Sequence, residues 1–174
     1  MIKVSDIEKL TYWGNYTADL TLKRLSTAIQ EWQEEDGLNL CPDFQRGHVW
    51  TAQQQVDFVE YILRDGQTSP ILFNNRGSFV IASKDFVCVD GLQRLTALLL
   101  FLDNKLSVFG GHTRSQIEGI DIHLSRLHLN FRINELMTER EVIQWYLELN
   151  FGGTPHTQVE LDRVRGLLEI AKVN

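Results

Sequence analysis

Little in this sequence points to a secreted, metal-stapled or membrane-spanning chain. Only two cysteines, Cys41 and Cys88, occur in 174 residues; they stand far apart and without metal-type spacing, which makes a disulfide framework improbable and argues for a reducing compartment. Proline is as scarce, at three, and no Pro/Ser linker, internal repeat or low-complexity tract divides the chain. We therefore expect one domain over residues 1–174, with 1–20 as an N-terminal arm. The longest apolar run, from Ala97 to Leu102, is far too short to span a bilayer, and Met1-Ile2-Lys3-Val4-Ser5-Asp6 lacks the apolar centre of a signal peptide. A cytoplasmic protein is the expectation. Positive charge is in deficit too: 17 Lys and Arg face 23 Asp and Glu, for a net charge of -6. That balance argues against a broad nucleic-acid surface and leaves room for a local basic pocket.

What is present centres on Phe86 to Leu102. Phe86-Val87-Cys88-Val89 is a β-branched and aromatic run, Asp90-Gly91 breaks it, and Leu92 to Leu102 is a helical run with Leu95, Leu98, Leu99 and Leu102 on one face. The pattern predicts strand, tight turn and buried helix. Such a turn leaves the first amides of the helix without intrahelical partners, at the positive end of its dipole, where an anion is the natural occupant. Gly91 would let a ligand approach, Arg94 lies in the first turn, and Asp90 could hold a cation or a hydroxyl.

Around this stretch the expected elements follow in order. A helix from Thr21 carries Leu22, Leu25, Ala28, Ile29 and Trp32 and stops at Gly37. A polar loop, Leu40 to Trp50, contains Gln45 and Arg46, and Thr51 with Gln54 forms a capping box for a second helix. Residues 71–75, 79–83 and 86–90 read as a three-stranded meander, and 103–119 as a flexible connection. Ile120-Asp121-Ile122-His123-Leu124 and Leu127 to Ile133 alternate apolar with polar and read as half-exposed strands. His123 and His128 lack a third ligand at metal spacing. Thr138 with Glu141 opens another helix, ending near Asn150; a glycine-rich loop with Gly152 and Gly153 follows; and Thr157 with Glu160 opens the last helix. The fold class expected is α+β, a small mixed sheet with helices around it and a helical C-terminal part.

Three loops occur in a set order: Pro42-Asp43-Phe44-Gln45-Arg46 with Val49-Trp50, then Asp90-Gly91-Leu92-Gln93-Arg94, then Asn150-Phe151-Gly152-Gly153-Thr154-Pro155. Over about residues 20–165 this order resembles the N-terminal domain of the GmrSD type IV restriction enzymes. The resemblance implies a ParB/sulfiredoxin-like fold and a site that binds and hydrolyses nucleoside triphosphates. The middle motif of that family is Asp-Gly-Gln-Gln-Arg; Leu92 stands in the first Gln slot, and His156 where the family more often has leucine.

On this resemblance Asp90, Gln93 and Arg94 are the candidate catalytic residues. Gln45, Arg46, Gly91, Arg94, Asn150, Gly152 and Gly153 are the candidate nucleotide and phosphate ligands, and Asp90 the candidate ligand for Mg2+. The leading reading is a nucleotide-binding, Mg-dependent NTPase domain of a restriction or phage-defence system. Its rival is a non-catalytic, nucleotide-sensing or protein-interaction module that partners or antagonises such a complex, because Leu92 removes one amide from the motif. Relatives that cleave DNA carry a further domain with His-Asn-His chemistry; that motif is not found in this sequence, so a separate nuclease or another defence-system protein is the expected partner. Direct DNA binding through Tyr12, Trp13 or Trp50 is disfavoured by the acidic charge. A redox role for Cys88 is disfavoured by its apolar setting.

Overall fold

The computed structural model describes residues 16–45, 47, 49–76, 86–150 and 158–171, with the backbone alone for 150 and 158–161. The order of elements is β1 (Tyr16–Thr21), α1 (Leu22–Glu34), α2 (Ala52–Leu63), β2 (Ile71–Asn75), β3 (Phe86–Asp90), α3 (Leu92–Leu102), α4 (Ile120–Leu124), β4 (His128–Asn134), α5 (Glu139–Asn150) and α6 (Gln158–Ile170). The four strands form one mixed sheet in the order β1-β4-β2-β3. β4 pairs antiparallel with β1 and parallel with β2, while β2 and β3 pair antiparallel. The α+β class is thereby established.

Side chains alternate across the strands, so each face of the sheet collects its own core. Ile71 and Phe73 of β2, Phe86 and Cys88 of β3, and Leu129, Phe131 and Ile133 of β4 pack with Leu22, Leu25 and Ile29 of α1, Val59 and Ile62 of α2, and the buried face of α3. Phe73 lies at the centre of this layer, with ring centroids 5.3 Å from Phe86 and 5.4 Å from Phe131. Leu72 and Val89 point the other way and pack with Phe44, with Val142, Ile143, Trp145 and Tyr146 of α5, and with Val164 of α6.

Two capping boxes read from the sequence are formed. Thr51 accepts from the Gln54 amide while the Gln54 side chain accepts from the Thr51 amide, and Thr138 with Glu141 does the same before α5. Each reciprocal pair satisfies two donors that a helix start leaves open.

Four expectations change. Residues 120–124 form a short helix, not a strand: Gly119 enters it with φ 73°, Leu124 is buried while Ile122 is 66% exposed, and five alternating residues are too few to separate the two periods. The 103–119 connection is stitched down rather than loose. Its Val108 is fully buried, Val108 bridges His112, and Arg114 donates to Leu102 O at 3.1 Å. β2 and β3 are direct neighbours, so they are not the outer strands of a meander; residues 79–83 lie outside the described residues. Finally, residues 16–20 of the expected arm belong to a strand of the sheet, β1.

Candidate functional site

The β3–α3 junction has the predicted form, and its geometry follows from two local irregularities. β3 carries a bulge: Leu72 faces Asp90 but Phe73 already faces Cys88, so one residue of β3 is extra. Bulges bend a strand and re-aim the side chains beside them. Gly91 then turns the chain with φ 98° and, lacking a side chain, does not cap the first turn of α3. The helix therefore starts without an N-cap side-chain bond and beside a half-exposed carboxylate, because the Asp90 side chain keeps 50% of its accessibility.

Gly91 itself is buried. A Cβ built there would run into Ile71 Cδ1 and come within 3.2 Å of Arg94 Nη2. The close approach that glycine permits at this position is that of β2, in a backbone conformation that residues with a side chain avoid.

Arg94 is drawn into the protein. Its Nη2 donates to Asp90 Oδ2 at 2.9 Å and to Pro70 O at 3.3 Å. Its Nη1 donates to Ser69 O, to Ser69 Oγ at 2.7 Å and to Thr68 Oγ1 at 3.1 Å. The side chain is only 13% exposed, so this fork ties the segment ahead of β2 to the α3 start and orients the Asp90 carboxylate. Thr68 and Ser69 carried no signal of this role in the sequence.

Gln93 reaches in the opposite direction. Its Oε1 accepts from the amides of Val49 and Trp50, at 2.9 and 3.1 Å, and its Nε2 donates to Gly47 O at 3.1 Å. Gln45 Nε2 donates to Cys88 O at 3.0 Å and lies 3.6 Å from Cys88 Sγ. Two amide side chains thus hold the first sequence loop against the middle one, across more than forty residues of chain. Arg46 and His48 lie outside the described residues; the neighbours on either side of Arg46, Gln45 and Gly47, are both bonded to the β3–α3 segment.

The third loop, including Gly152 and Gly153, also lies outside the described residues, and Asn150 is described by its backbone alone, as the last residue of α5. Beyond that loop, α6 returns to the first one. Arg163 Nη1 donates to Asp43 O, and Nη2 to Phe44 O at 3.3 Å and Gln45 O at 3.4 Å. A contact across about 120 residues leaves no mark in one sequence.

Two competing readings meet plain obstacles in this geometry. Cys88 is fully buried, and burial first, then the charge of Asp90, pushes its thiol far above the ordinary thiol range. The thiolate required for redox chemistry is thus suppressed. Trp50 packs its ring against Phe58 with centroids 5.3 Å apart, while Tyr12 and Trp13 lie outside the described residues. His123 Nε2 lies 2.8 Å from Leu63 O at the end of α2. Among the described residues no helix is long and apolar enough to cross a membrane.

No curated protein and no solved structure matches the chain. A family model does: residues 26–135 match the N-terminal domain of the GmrSD restriction endonuclease. The match runs from within α1 to just past β4, and so covers three of the four strands together with the loop and the turn just described. Covering well over half of the chain, it shows that this protein belongs to the GmrSD N-terminal domain family, in the setting of a restriction system.

Proposed function

We propose that this domain binds a nucleoside triphosphate where the 40–50 loop meets the β3–α3 turn, and that it is the nucleotide-responsive part of a restriction system whose cleavage is carried out by a nuclease partner. The observation that carries this reading is the pair of bonds flanking Arg46: Gln45 to Cys88 O and Gly47 O to Gln93. They fasten the loop that bears Arg46 beside the first turn of α3. Arg46 and the amides of that turn would neutralise phosphate charge. Asn150, Gly152 and Gly153 are the remaining proposed nucleotide ligands.

Asp90 suits Mg2+, a cation that keeps several waters and is commonly held by one or two carboxylates plus substrate phosphates. Among the described residues no cluster of three or more metal-ligating side chains exists, so the phosphates would supply the other ligands. Arg94, whose donors are taken by Asp90 and by residues 68–70, would act through the carboxylate it orients.

The arrangement favours binding over hydrolysis. Leu92, in the slot of the motif's first Gln, is buried at 5% exposure, and both amide atoms of Gln93 are engaged by backbone. Leu92 offers no hydrogen bond, and Gln93 keeps a single N–H beyond its loop contacts with which to meet an attacking water. A sensing role, with slow or no turnover, therefore ranks above an NTPase.

Calorimetry and thermal shift with a panel of nucleoside triphosphates and Mg2+ test the site, because a ligand of the folded state must raise the melting temperature. Arg46→Ala should weaken affinity about 10- to 100-fold, the equivalent of losing a charge-assisted contact of roughly 1.5 to 3 kcal/mol. Unchanged affinity in that variant rejects the site. Phosphate release by the wild type at several turnovers per minute would restore the NTPase reading.

A further inference from the structure

Asn74 and Val87 are directly opposed in the β2–β3 pair, at the end away from Asp90, which lies opposite Leu72. Alternation places both on the face of the sheet that carries Leu72 and Val89. The start of the first loop runs along the outer edge of β3: Asn39 bridges Val87 in parallel, its amide donating to Phe86 O at 2.8 Å and its carbonyl accepting from the Cys88 amide at 2.9 Å. Further along, Phe44 packs on Tyr146 of α5 with ring centroids 5.3 Å apart. Between this loop and the start of α5 lies a cleft of about 440 Å3, lined by Asn74 and Val87 from the sheet, by Phe44, and by Leu136 and Val142. That volume is within the range of ligand sites.

Three polar side chains in the cleft have bonding capacity to spare. Asn74 is only 1% exposed. Its Oδ1 accepts from the Leu136 amide at 2.8 Å and its Nδ2 donates to Leu136 O at 3.1 Å. One N–H of Nδ2 is thereby used, and the described residues offer no acceptor to the second. A buried donor calls for a partner. The carboxylates of Asp43 and Glu139 line the same cleft, and neither has a hydrogen bond or ion pair among the described residues. Arg163 takes the carbonyl of Asp43 and not its carboxylate, while Arg76, also along the lining, has contacts of its own with other groups.

We propose that this cleft receives a basic side chain, arginine or lysine, of a partner protein. The guanidinium or ammonium group would donate to the two carboxylates, its alkyl stem would cover Val87, Leu136 and Val142, and a main-chain carbonyl beside it would accept the second N–H of Asn74. A metal ion suits the cleft less well: among the described residues no group of three or more metal-ligating side chains exists. A phosphate backbone would meet two carboxylates of its own sign. The proposal does not rest on the nucleotide reading, in which Asp43, Asn74 and Glu139 take no part.

The test titrates the isotope-labelled whole chain with end-capped Gly-Arg-Gly and Gly-Lys-Gly peptides, read by NMR, with Gly-citrulline-Gly as the neutral control of similar shape. At least one cationic peptide should shift the amides of residues 39–44, 74, 87 and 136–142, and the Asn74 side-chain NH2, saturably with a Kd of about 1 to 5 mM. The citrulline peptide should bind about tenfold more weakly. Asp43→Asn and Glu139→Gln, both at exposed positions, should each weaken the cationic peptide about threefold and together about tenfold.

The absence of a saturable shift up to about 20 mM of either cationic peptide, equal binding of the citrulline peptide, or undiminished binding in the double variant overturns the proposal. Shifts scattered over the surface overturn it as well, since they report only the general attraction of a chain of net charge -6 for cations. Each variant's amide spectrum before titration separates these outcomes from loss of fold.

Discussion

Replacing Gly91 by alanine is the sharpest test of how the β3–α3 junction is built. Two penalties arise from one methyl group. The backbone sits at φ 98° and ψ 7°, a left-handed conformation that costs a residue with a Cβ roughly 1 to 2 kcal/mol. The methyl also enters the space of Ile71, which is completely buried and cannot swing into solvent; overpacking of this kind costs about 1 to 3 kcal/mol. The reduced freedom of the unfolded chain returns roughly 0.4 to 1 kcal/mol. A net loss of about 1 to 4.5 kcal/mol is expected, which for a chain of this size lowers Tm by roughly 2 to 18 °C.

Chemical denaturation of the ligand-free protein measures the loss, and a double-mutant cycle divides it. Ile71→Val removes the Cδ1 that meets the new methyl, at its own cost of about 0.5 to 1.5 kcal/mol. In the double variant the severest clash is removed, while the contacts at 3.2 Å with Cγ2 of residue 71 and with Arg94 Nη2 and the backbone share remain, leaving a favourable coupling of about 1 kcal/mol. Additive losses would show that Ile71 is not the obstacle. A Gly91→Ala cost below about 0.5 kcal/mol would refute the whole account, since it would mean the turn tolerates a side chain freely.

Two further outcomes test the surrounding framework. Gln93→Ala frees Gly47 O and the amides of Val49 and Trp50; because this loop is largely exposed and water can replace the lost partners, stability should fall by only about 1 kcal/mol, while limited proteolysis within residues 45–50 accelerates severalfold. Gln93→Glu keeps the acceptor for both amides and loses the donor to Gly47 O, so its cleavage rate should be intermediate, and native-like cleavage in Gln93→Ala would show that the clamp is idle. Iodoacetamide should label Cys41, which is exposed, and spare Cys88 until the chain unfolds. Because the folded state holds the Cys88 thiol protonated well above the ordinary range, stability is unaffected below about pH 8.5 and declines as pH rises beyond it, where the unfolded chain ionises first. Rapid labelling of both cysteines at neutral pH would contradict the burial of β3.

The sequence announced those elements whose signals are local. Thr51 and Gln54, or Thr138 and Glu141, sit three residues apart and close on each other without help from the rest of the chain, so α2 and α5 were legible to within a residue or two. The same holds for β3, Asp90-Gly91 and α3, where the change of residue type coincides with the change of structure. Residues 120–124 misled because Ile120, Ile122 and Leu124 satisfy a strand period as well as one turn of helix, and only Gly119 and the surrounding packing choose. β1 was missed because Tyr16 to Thr21 is an edge strand with three of its six residues exposed and none buried, and such a strand shows little alternation. The site was legible as a set of loops but not as a set of bonds. That Arg94 turns inward to residues 68–70, Gln93 outward to 47–50, and that Arg163 joins from α6 all depend on tertiary placement, which a single sequence encodes without displaying.

β4 occupies a particular place in this fold: it lies between β1 and β2, yet it is the last of the four strands among the described residues. Until residues 128–134 have left the ribosome, β1 has no partner and the β2–β3 pair has only one finished edge. Assembly must therefore wait for a late segment and then draw together pieces more than a hundred residues apart, a topology that folds slowly and exposes unsatisfied strand edges meanwhile. Premature termination between β3 and β4 would leave β1 and the β2–β3 pair with nothing to join them.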